Sequence, residues 1–227
     1  MWDNAKMRPV QKTMSFLLPH EILHNLIEPG KEGDWCDFQP GQAGFKAELK
    51  AWGGDKQQVD VESDPWACIA LWGDSAPSTR KDSVHLLTFR LLNGSVRKRF
   101  WIACFSKKDM CKCGCYGRCT MQTMFEIVGW SMRALLAGKH PSVDHRGNRF
   151  PPGSPRGEMA GQTLRVRGAV LAKVGDWAWY KQALNLKYWR GEGEDLRLCW
   201  LYDGCLREGR HNYCYRVRWM QGGCRRE

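Results

Sequence analysis

Two apolar stretches, far apart in the chain, each end at the dipeptide Gly-Asp. The first covers residues 67–72 and reaches Gly73-Asp74, and the second covers residues 164–174 and reaches Gly175-Asp176. A short apolar run that ends at turn residues is typical of a buried β-strand. If a sheet aligns these two strands in parallel, both carboxylates reach the same edge. This pair of strand ends constrains the fold more than any other feature of the sequence.

Two further strands and a helix are predicted between the aspartates. Residues 84–92 and 96–106 are strand-like, and Asn93-Gly94 between them is a strong hairpin signal. Residues 121–136 carry apolar side chains at three- and four-residue steps, which predicts a helix from an N-cap at Thr120 to Gly138. The order predicts an α/β fold with a ribonuclease-H-like mixed sheet: three antiparallel strands, a crossover helix and a fourth strand parallel to the first.

Asp74 and Asp176 are the candidate catalytic and metal-binding carboxylates. Hard divalent cations take oxygen ligands, and two carboxylates tolerate each other at one edge when a cation lies between them. Two such ions carry out phosphoryl transfer, so the predicted cofactor is Mg²⁺ or Mn²⁺. The simpler alternative is that both are turn or cap residues, with Asp176 as the N-cap of a helix over residues 177–186.

Several segments resemble the DDE/D-type, ribonuclease-H-like transposases of eukaryotic mobile elements. They are Leu71-Trp-Gly-Asp-Ser-Ala-Pro, Cys113-Gly-Cys-Tyr-Gly-Arg-Cys-Thr, Gly175-Asp-Trp-Ala-Trp-Tyr-Lys-Gln and Cys199-Trp-Leu-Tyr. The resemblance covers residues 66–200 and implies that Asp74 and Asp176 are the first two catalytic aspartates of DNA strand cleavage and transfer. Such enzymes need a third carboxylate on a later helix, and no helical pattern surrounds Glu192, Glu194, Asp195, Asp203 or Glu208. We therefore expect a truncated or decayed copy with weak or no activity.

A second candidate metal site is a cysteine-rich loop. Four of the 11 cysteines fall in residues 111–119, namely Cys111, Cys113, Cys115 and Cys119. Thiolates at this density suit Zn²⁺. Four ligands from so short a loop would be strained, so a site that uses two or three of them with Cys199, Cys205 or Cys214 is easier to build. Reduced thiols without metal are the alternative.

The net charge of +11 favours a polyanionic partner, with DNA first. No secretion signal and no membrane span are predicted, so we expect a reducing compartment, the nucleus, and no membrane partner; self-association stays open. Basic residues near aromatic ones suit single or distorted strands; the candidates are Arg97, Lys98, Arg99, Lys107, Lys108, Lys173 and Lys181. The alternative function is a non-enzymatic, zinc-stabilised nucleic-acid-binding module.

Three regions are predicted. Residues 1–63 form an N-terminal extension with a short helix, residues 64–190 form the α/β domain with the Cys-rich loop 111–119 and a surface loop over 139–162, and residues 191–227 form a basic tail or partial insertion. His20 and His24 lie one turn apart on the predicted helix over 19–27. That spacing can hold a metal. The sequence shows no third ligand beside them, so we expect a surface pair.

Overall fold

The computed structural model describes residues 2–3, 8–9, 13–36, 43–57, 65–80, 82–94, 97–115, 117–176 and Trp179. All of them belong to one compact unit, Met1–Trp179. The elements before the main sheet are β1 (Trp2–Asp3), β2 (Arg8–Pro9), α1 (Pro19–Leu26), α2 (Glu32–Cys36) and α3 (Ala43–Gln57). Those that follow are β3 (Trp66–Thr79), β4 (Asp82–Leu91), β5 (Arg99–Ser106), a 3₁₀ turn (Lys107–Asp109), α4 (Arg118–Ala137), α5 (Pro155–Met159) and β6 (Arg167–Gly175). The described helices include no candidate for a membrane-spanning segment.

A four-stranded mixed sheet, in the order β5-β4-β3-β6, organises the chain. β3 pairs with β4 and β4 pairs with β5 in antiparallel fashion, whereas β6 lies parallel to β3. The connection from β5 to β6 contains α4, as a parallel pair requires a long crossover. The predicted mixed α/β sheet, with three antiparallel strands and a fourth strand parallel to the first, is confirmed at this level.

The first predicted strand does not end at Asp74. β3 continues to Thr79, and its second half still pairs with β4, Asp74 opposite Leu86 and Ser75 opposite His85. The apolar pattern stops at Asp74 because much of the later part of the strand is exposed, not because the strand ends. β6, by contrast, ends at Gly175, directly before Asp176.

One face of the sheet is buried beneath α4, which itself packs against α1. A Cβ at Gly168 of β6 would meet the Leu135 side chain of α4 at 3.4 Å. The strand residues on this face, Leu87 and Phe89 among them, are almost fully buried. The helix begins after Gly117 and ends at Gly138, both with positive φ. Thr120 is therefore not its N-cap, because the helix already starts at Arg118.

The opposite face is covered at one end by α3. Leu49 of α3 packs with Trp66, Cys68 and Ala169 of the adjacent strands β3 and β6. Beside this cluster, Asn93 is 1 % exposed and ties three backbone groups together. Its Nδ2 donates to Cys36 O at 2.6 Å and to Trp66 O at 2.7 Å, and its Oδ1 accepts from Cys68 N at 2.8 Å.

The predicted role of Asn93 is in a two-residue hairpin turn, whereas these hydrogen bonds give it an anchoring role. β4 ends at Leu91 and β5 begins at Arg99, so the two strands pair as predicted but are joined by a longer connection. Gly94 has a φ of 83°, and a Cβ there would overlap the backbone of Trp35. The Asn-Gly pair thus anchors the connection to α2 and to the start of β3.

Candidate functional site

The four cysteines of loop 111–119 converge. The ligand atoms of Cys111, Cys113, Cys115 and Cys119 all lie within 4.8 Å of one another, and the Cys113 and Cys119 sulfurs are 3.9 Å apart. Four sulfurs at about 2.3 Å from a tetrahedral zinc ion are about 3.8 Å from each other. The thiols are free of disulfide bonds. The loop therefore presents four soft ligands at close to the spacing of a structural zinc site.

Turns, rather than an extended strand, make this convergence possible. Gly114 and Gly117 both have positive φ, at 90° and 85°, a conformation that glycine adopts without steric cost. Arg118 N donates to Cys115 O at 3.0 Å, which closes the turn before α4. The expected strain does not arise because alternation of side chains applies to strands and not to this loop. Cys199, Cys205 and Cys214 lie outside the described residues.

Hydrogen bonding within the cluster separates the thiol pKa values. The backbone N–H of Cys119 lowers the pKa of Cys115 to about 6. Hydrogen bonds with Cys115 and Cys113 raise the pKa of Cys119 to about 12. The cluster thus favours one thiolate at neutral pH, and thiolate is the form that binds metal. A zinc ion lowers the pKa of the remaining thiols through its own charge.

The register of β3 and β6 brings the two aspartates to neighbouring positions. Gly73 pairs with Gly175, so Asp74 and Asp176 each follow a paired glycine on adjacent parallel strands. Both are exposed. Asp74 Oδ1 accepts from Ser75 N at 2.7 Å, and Asp176 Oδ1 accepts from Trp179 N at 2.6 Å. Within the described part of the chain, no third metal-ligating side chain joins them.

Trp179 explains the two glycines before the aspartates. The indole is 5 % exposed and lies over both strands: a Cβ at Gly73 would overlap it, and a Cβ at Gly175 would approach it to 3.1 Å. Phe125 of α4 contacts its other side, with ring centroids 6.0 Å apart. The Gly-Asp dipeptides were interpreted as turn signals. In the structure the glycines make room for a tryptophan between the sheet and α4.

Because Gly73 faces Trp179 and α4, the alternation of the strand turns Trp72 and Asp74 to the opposite face. On that face Trp72, Thr88 and Trp101 are register partners across β3, β4 and β5. We call this surface, together with Arg90 and Arg99 of the next row, the open sheet face. Trp101 is 53 % exposed.

Two arginines meet over one of these tryptophans. Arg90 and Arg99 pair directly across β4 and β5, and their guanidinium carbons lie 5.6 and 4.3 Å from the Trp72 ring centroid. Like charges in directly opposed positions destabilise a sheet. No described carboxylate forms an ion pair with either arginine. Of these two arginines, only Arg99 is among the residues predicted from the sequence to bind nucleic acid, because only the strand register reveals Trp72 and Arg90 as its neighbours.

The other predicted nucleic-acid-binding residues are distributed more widely. Arg97 and Lys98 are exposed and directly precede Arg99, the first residue of β5. Lys107 and Lys108 lie in the 3₁₀ turn at the far end of β5, and Lys108 Nζ is 3.5 Å from Asp82 Oδ2. Lys173 is exposed on the edge strand β6. Lys181 lies outside the described residues.

No protein-family model, curated protein or solved structure matches this chain. Function therefore follows from the sites themselves, since a fold alone does not specify an activity.

Proposed function

We propose that this chain is a DNA-binding α/β domain, stabilised by zinc at loop 111–119, that takes single-stranded or distorted DNA on its open sheet face. The observation that carries this proposal is the pair of opposed arginines stacked at Trp72 beside the exposed Trp101. Exposed aromatic rings stack with bases, and neighbouring cations hold the phosphates.

The charge on this face supports a polyanion as the partner. Arg90 and Arg99 repel each other across the strand pair. A phosphate bound between them would form a favourable charged hydrogen bond with each arginine. Arg97 and Lys98, exposed directly before β5, add two more cations next to Arg99 in the chain. The net charge of +11 adds a long-range attraction to nucleic acid.

The test is fluorescence anisotropy with labelled single-stranded and duplex oligonucleotides. We expect the full chain to prefer the single strand, because stacking needs an unpaired base face. Loss of one stacked base costs about 1–3 kcal/mol, so Trp101→Ala should weaken binding by roughly five- to a hundred-and-fiftyfold. Leu26→Ala removes a comparably exposed apolar side chain from α1 and is the matched control. Equal affinity of Trp101→Ala and wild type would refute the proposed surface.

Zinc in this proposal fixes the segment that joins β5 to α4. Cys111 N donates to the Thr120 hydroxyl at 3.0 Å, so the start of the loop is bonded to the first turn of α4. A metal ion bound to all four sulfurs closes the same loop covalently. Its role is structural, since four protein ligands leave no position for a substrate.

A second candidate function is metal-dependent phosphoryl transfer of the transposase type. The parallel register at Gly73 and Gly175 favours it, because Asp74 and Asp176 follow these residues on adjacent strands. The strand order β5-β4-β3-β6 with a helical crossover is consistent with a ribonuclease-H-like sheet. Because the described residues supply no third ligand beside Asp74 and Asp176, we expect weak phosphoryl-transfer activity or none.

Plasmid nicking with Mg²⁺ or Mn²⁺ tests this second candidate separately from DNA binding. Trace nicking that disappears in Asp74→Asn and in Asp176→Asn, but not in the exposed control Asp34→Asn, would support a residual two-metal site. Robust turnover would show that the missing carboxylate lies elsewhere in the chain. DNA binding without any metal-dependent nicking would eliminate this second candidate function and leave DNA binding as the proposed function.

A further inference from the structure

Three histidines from two distant segments converge beside a cavity of 330 Å³. His20 and His24 come from α1, and His140 comes from the segment that follows α4. The ring centroids of His24 and His140 are 4.5 Å apart, and those of His20 and His140 are 5.9 Å apart. The expectation that His20 and His24 form a surface pair was wrong for His20, which is 1 % exposed.

The segment after α4 supplies the third histidine because hydrogen bonds fix the path of its backbone. Lys139 and Thr163 form an isolated bridge, and His140 N donates to Gln162 O at 2.8 Å. Trp130 Nε1 donates to Val143 O at 3.0 Å. These bonds hold His140 against α1, and it is 8 % exposed.

His20 is held in one orientation by its neighbours. Its Nδ1 is 2.8 Å from the Ser131 hydroxyl of α4, and its ring meets Trp130 edge-on at 5.3 Å. The other nitrogen, Nε2, lies 4.0 Å from Glu21 Oε1. Arg156 in turn holds that carboxylate through Nε at 2.6 Å and Nη2 at 3.2 Å. His20 therefore presents a fixed Nε2 toward Glu21, which also lines the cavity.

The other two histidines each bury a nitrogen that lacks a hydrogen-bond partner within the described ranges. These atoms are His24 Nδ1 and His140 Nε2. An unsatisfied buried polar atom costs about 1–3 kcal/mol, so a native structure normally satisfies it. Both residues line the cavity. A ligand that accepts electron pairs from both nitrogens would remove both costs at once.

We propose that this cavity binds a divalent transition-metal ion of the zinc class through His20 Nε2, His24 Nδ1 and His140 Nε2. Three imidazoles bound to a tetrahedral ion place their ring centres about 5 Å apart, and the His140 ring lies 4.5 Å from that of His24 and 5.9 Å from that of His20. Among the described residues only the four cysteines already stand at ligand spacing, so binding at the cavity turns the rings of His24 and His140 toward the Nε2 of His20, which Ser131 and Glu21 hold in place. Ser131 and the Glu21–Arg156 pair are the outer contacts that orient His20.

This site differs in kind from the cysteine cluster. Three histidine ligands leave one coordination position open to a cavity of 330 Å³, whereas four thiolates close their ion completely. Imidazole nitrogen selects zinc, copper or nickel over magnesium and calcium. The histidine site is therefore an open metal site that a water molecule or a small ligand can reach.

Zinc stoichiometry of the full chain tests the proposal. The protein is loaded with excess zinc chloride and dialysed, and bound zinc is measured by atomic emission. Wild type should hold one equivalent more than His140→Ala, whereas the control His145→Ala, which does not line the cavity, should equal wild type. In a Cys113→Ser/Cys119→Ser background, His140→Ala should still remove one equivalent, because the two sites are independent.

Far-UV circular dichroism identifies any variant that fails to fold. If His140→Ala is such a variant, His24→Gln decides, because His24 is less buried and its replacement keeps a polar side chain at the cavity wall. Competition with a chromogenic chelator should show zinc affinity at this site reduced by at least about tenfold in His24→Gln. Wild-type zinc content and affinity in folded His24→Gln or His140→Ala would overturn the proposal.

Discussion

Removal of the three cations that precede and begin β5 should lower DNA affinity and its salt dependence together. The variant is Arg97→Ala/Lys98→Ala/Arg99→Ala, and all three side chains are exposed. Each phosphate that a protein neutralises on a single strand contributes about 0.7 to the slope of log K against log salt concentration. Three contacts therefore contribute about 2 to that slope.

The assay is anisotropy of a labelled oligothymidine from about 50 to about 200 mM NaCl, a range over which phosphate contacts change affinity steeply. The matched control is Arg133→Ala/Lys139→Ala/Arg146→Ala, which removes the same charge from exposed positions on α4 and the segment after it. The β5 variant should lose about 2 from its slope and the control much less. Equal losses in both variants would mean that only the net charge matters, and would contradict the open sheet face as the DNA-binding surface.

Three other predictions concern the zinc loop, the core and the pH dependence of stability. Cys113→Ser should remove about one zinc equivalent, whereas Cys104→Ser, at an exposed cysteine outside the cluster, should leave zinc content unchanged; equal zinc in both would contradict the cysteine site. Asn93→Ala should lower the free energy of unfolding in urea by about 3 kcal/mol, because it leaves buried backbone groups without partners; a loss below about 1 kcal/mol would show that these groups find other partners. Burial lowers the pKa of His20 from 6.5 to about 4, so the unfolded chain binds a proton in this range and the folded chain does not. Metal-free protein should therefore lose roughly 3 kcal/mol of stability between pH 6.5 and pH 4, and His20→Gln should lose less.

The strand order could be predicted because its signals are local. The apolar runs of β3 and β6, the alternation in β4 and the helical period of α4 each appear within a short window. The crossover rule then leaves few arrangements of those elements. The alignment of Gly73 with Gly175 could also be expected from the sequence, because each glycine directly precedes the aspartate at the end of its apolar run.

The open sheet face and the histidine cavity depend on contacts between distant residues. Trp72, Arg90 and Trp101 become neighbours only through the strand register, which a single bulge between Leu87 and Thr88 alters by one residue. His140 reaches α1 only because α4, together with the hydrogen bonds of the segment that follows it, sets the position of this residue. No residue spacing in the sequence predicts either arrangement.

The cysteine cluster was predicted for its residues but not for its geometry. Cysteine density identified the candidate ligands, whereas the positive φ angles of Gly114 and Gly117 allow all four sulfurs to face one another. A glycine indicates that the backbone can adopt additional conformations, but it does not indicate which way the chain turns. The same limit applies to Gly73, where the glycine admits the Trp179 indole instead of ending a strand.

Photochemical cross-linking of the full chain to a bromouracil-containing single strand, with mass spectrometric mapping of the linked peptides, locates the DNA-binding surface. We expect cross-links at Trp101 and Trp72, on β5 and β3 of the open sheet face, and their loss when unlabelled single strand competes. Cross-links confined to the exposed side of α4 and to α5, or none at all under binding conditions, would contradict the assignment of the open sheet face as the DNA-binding surface.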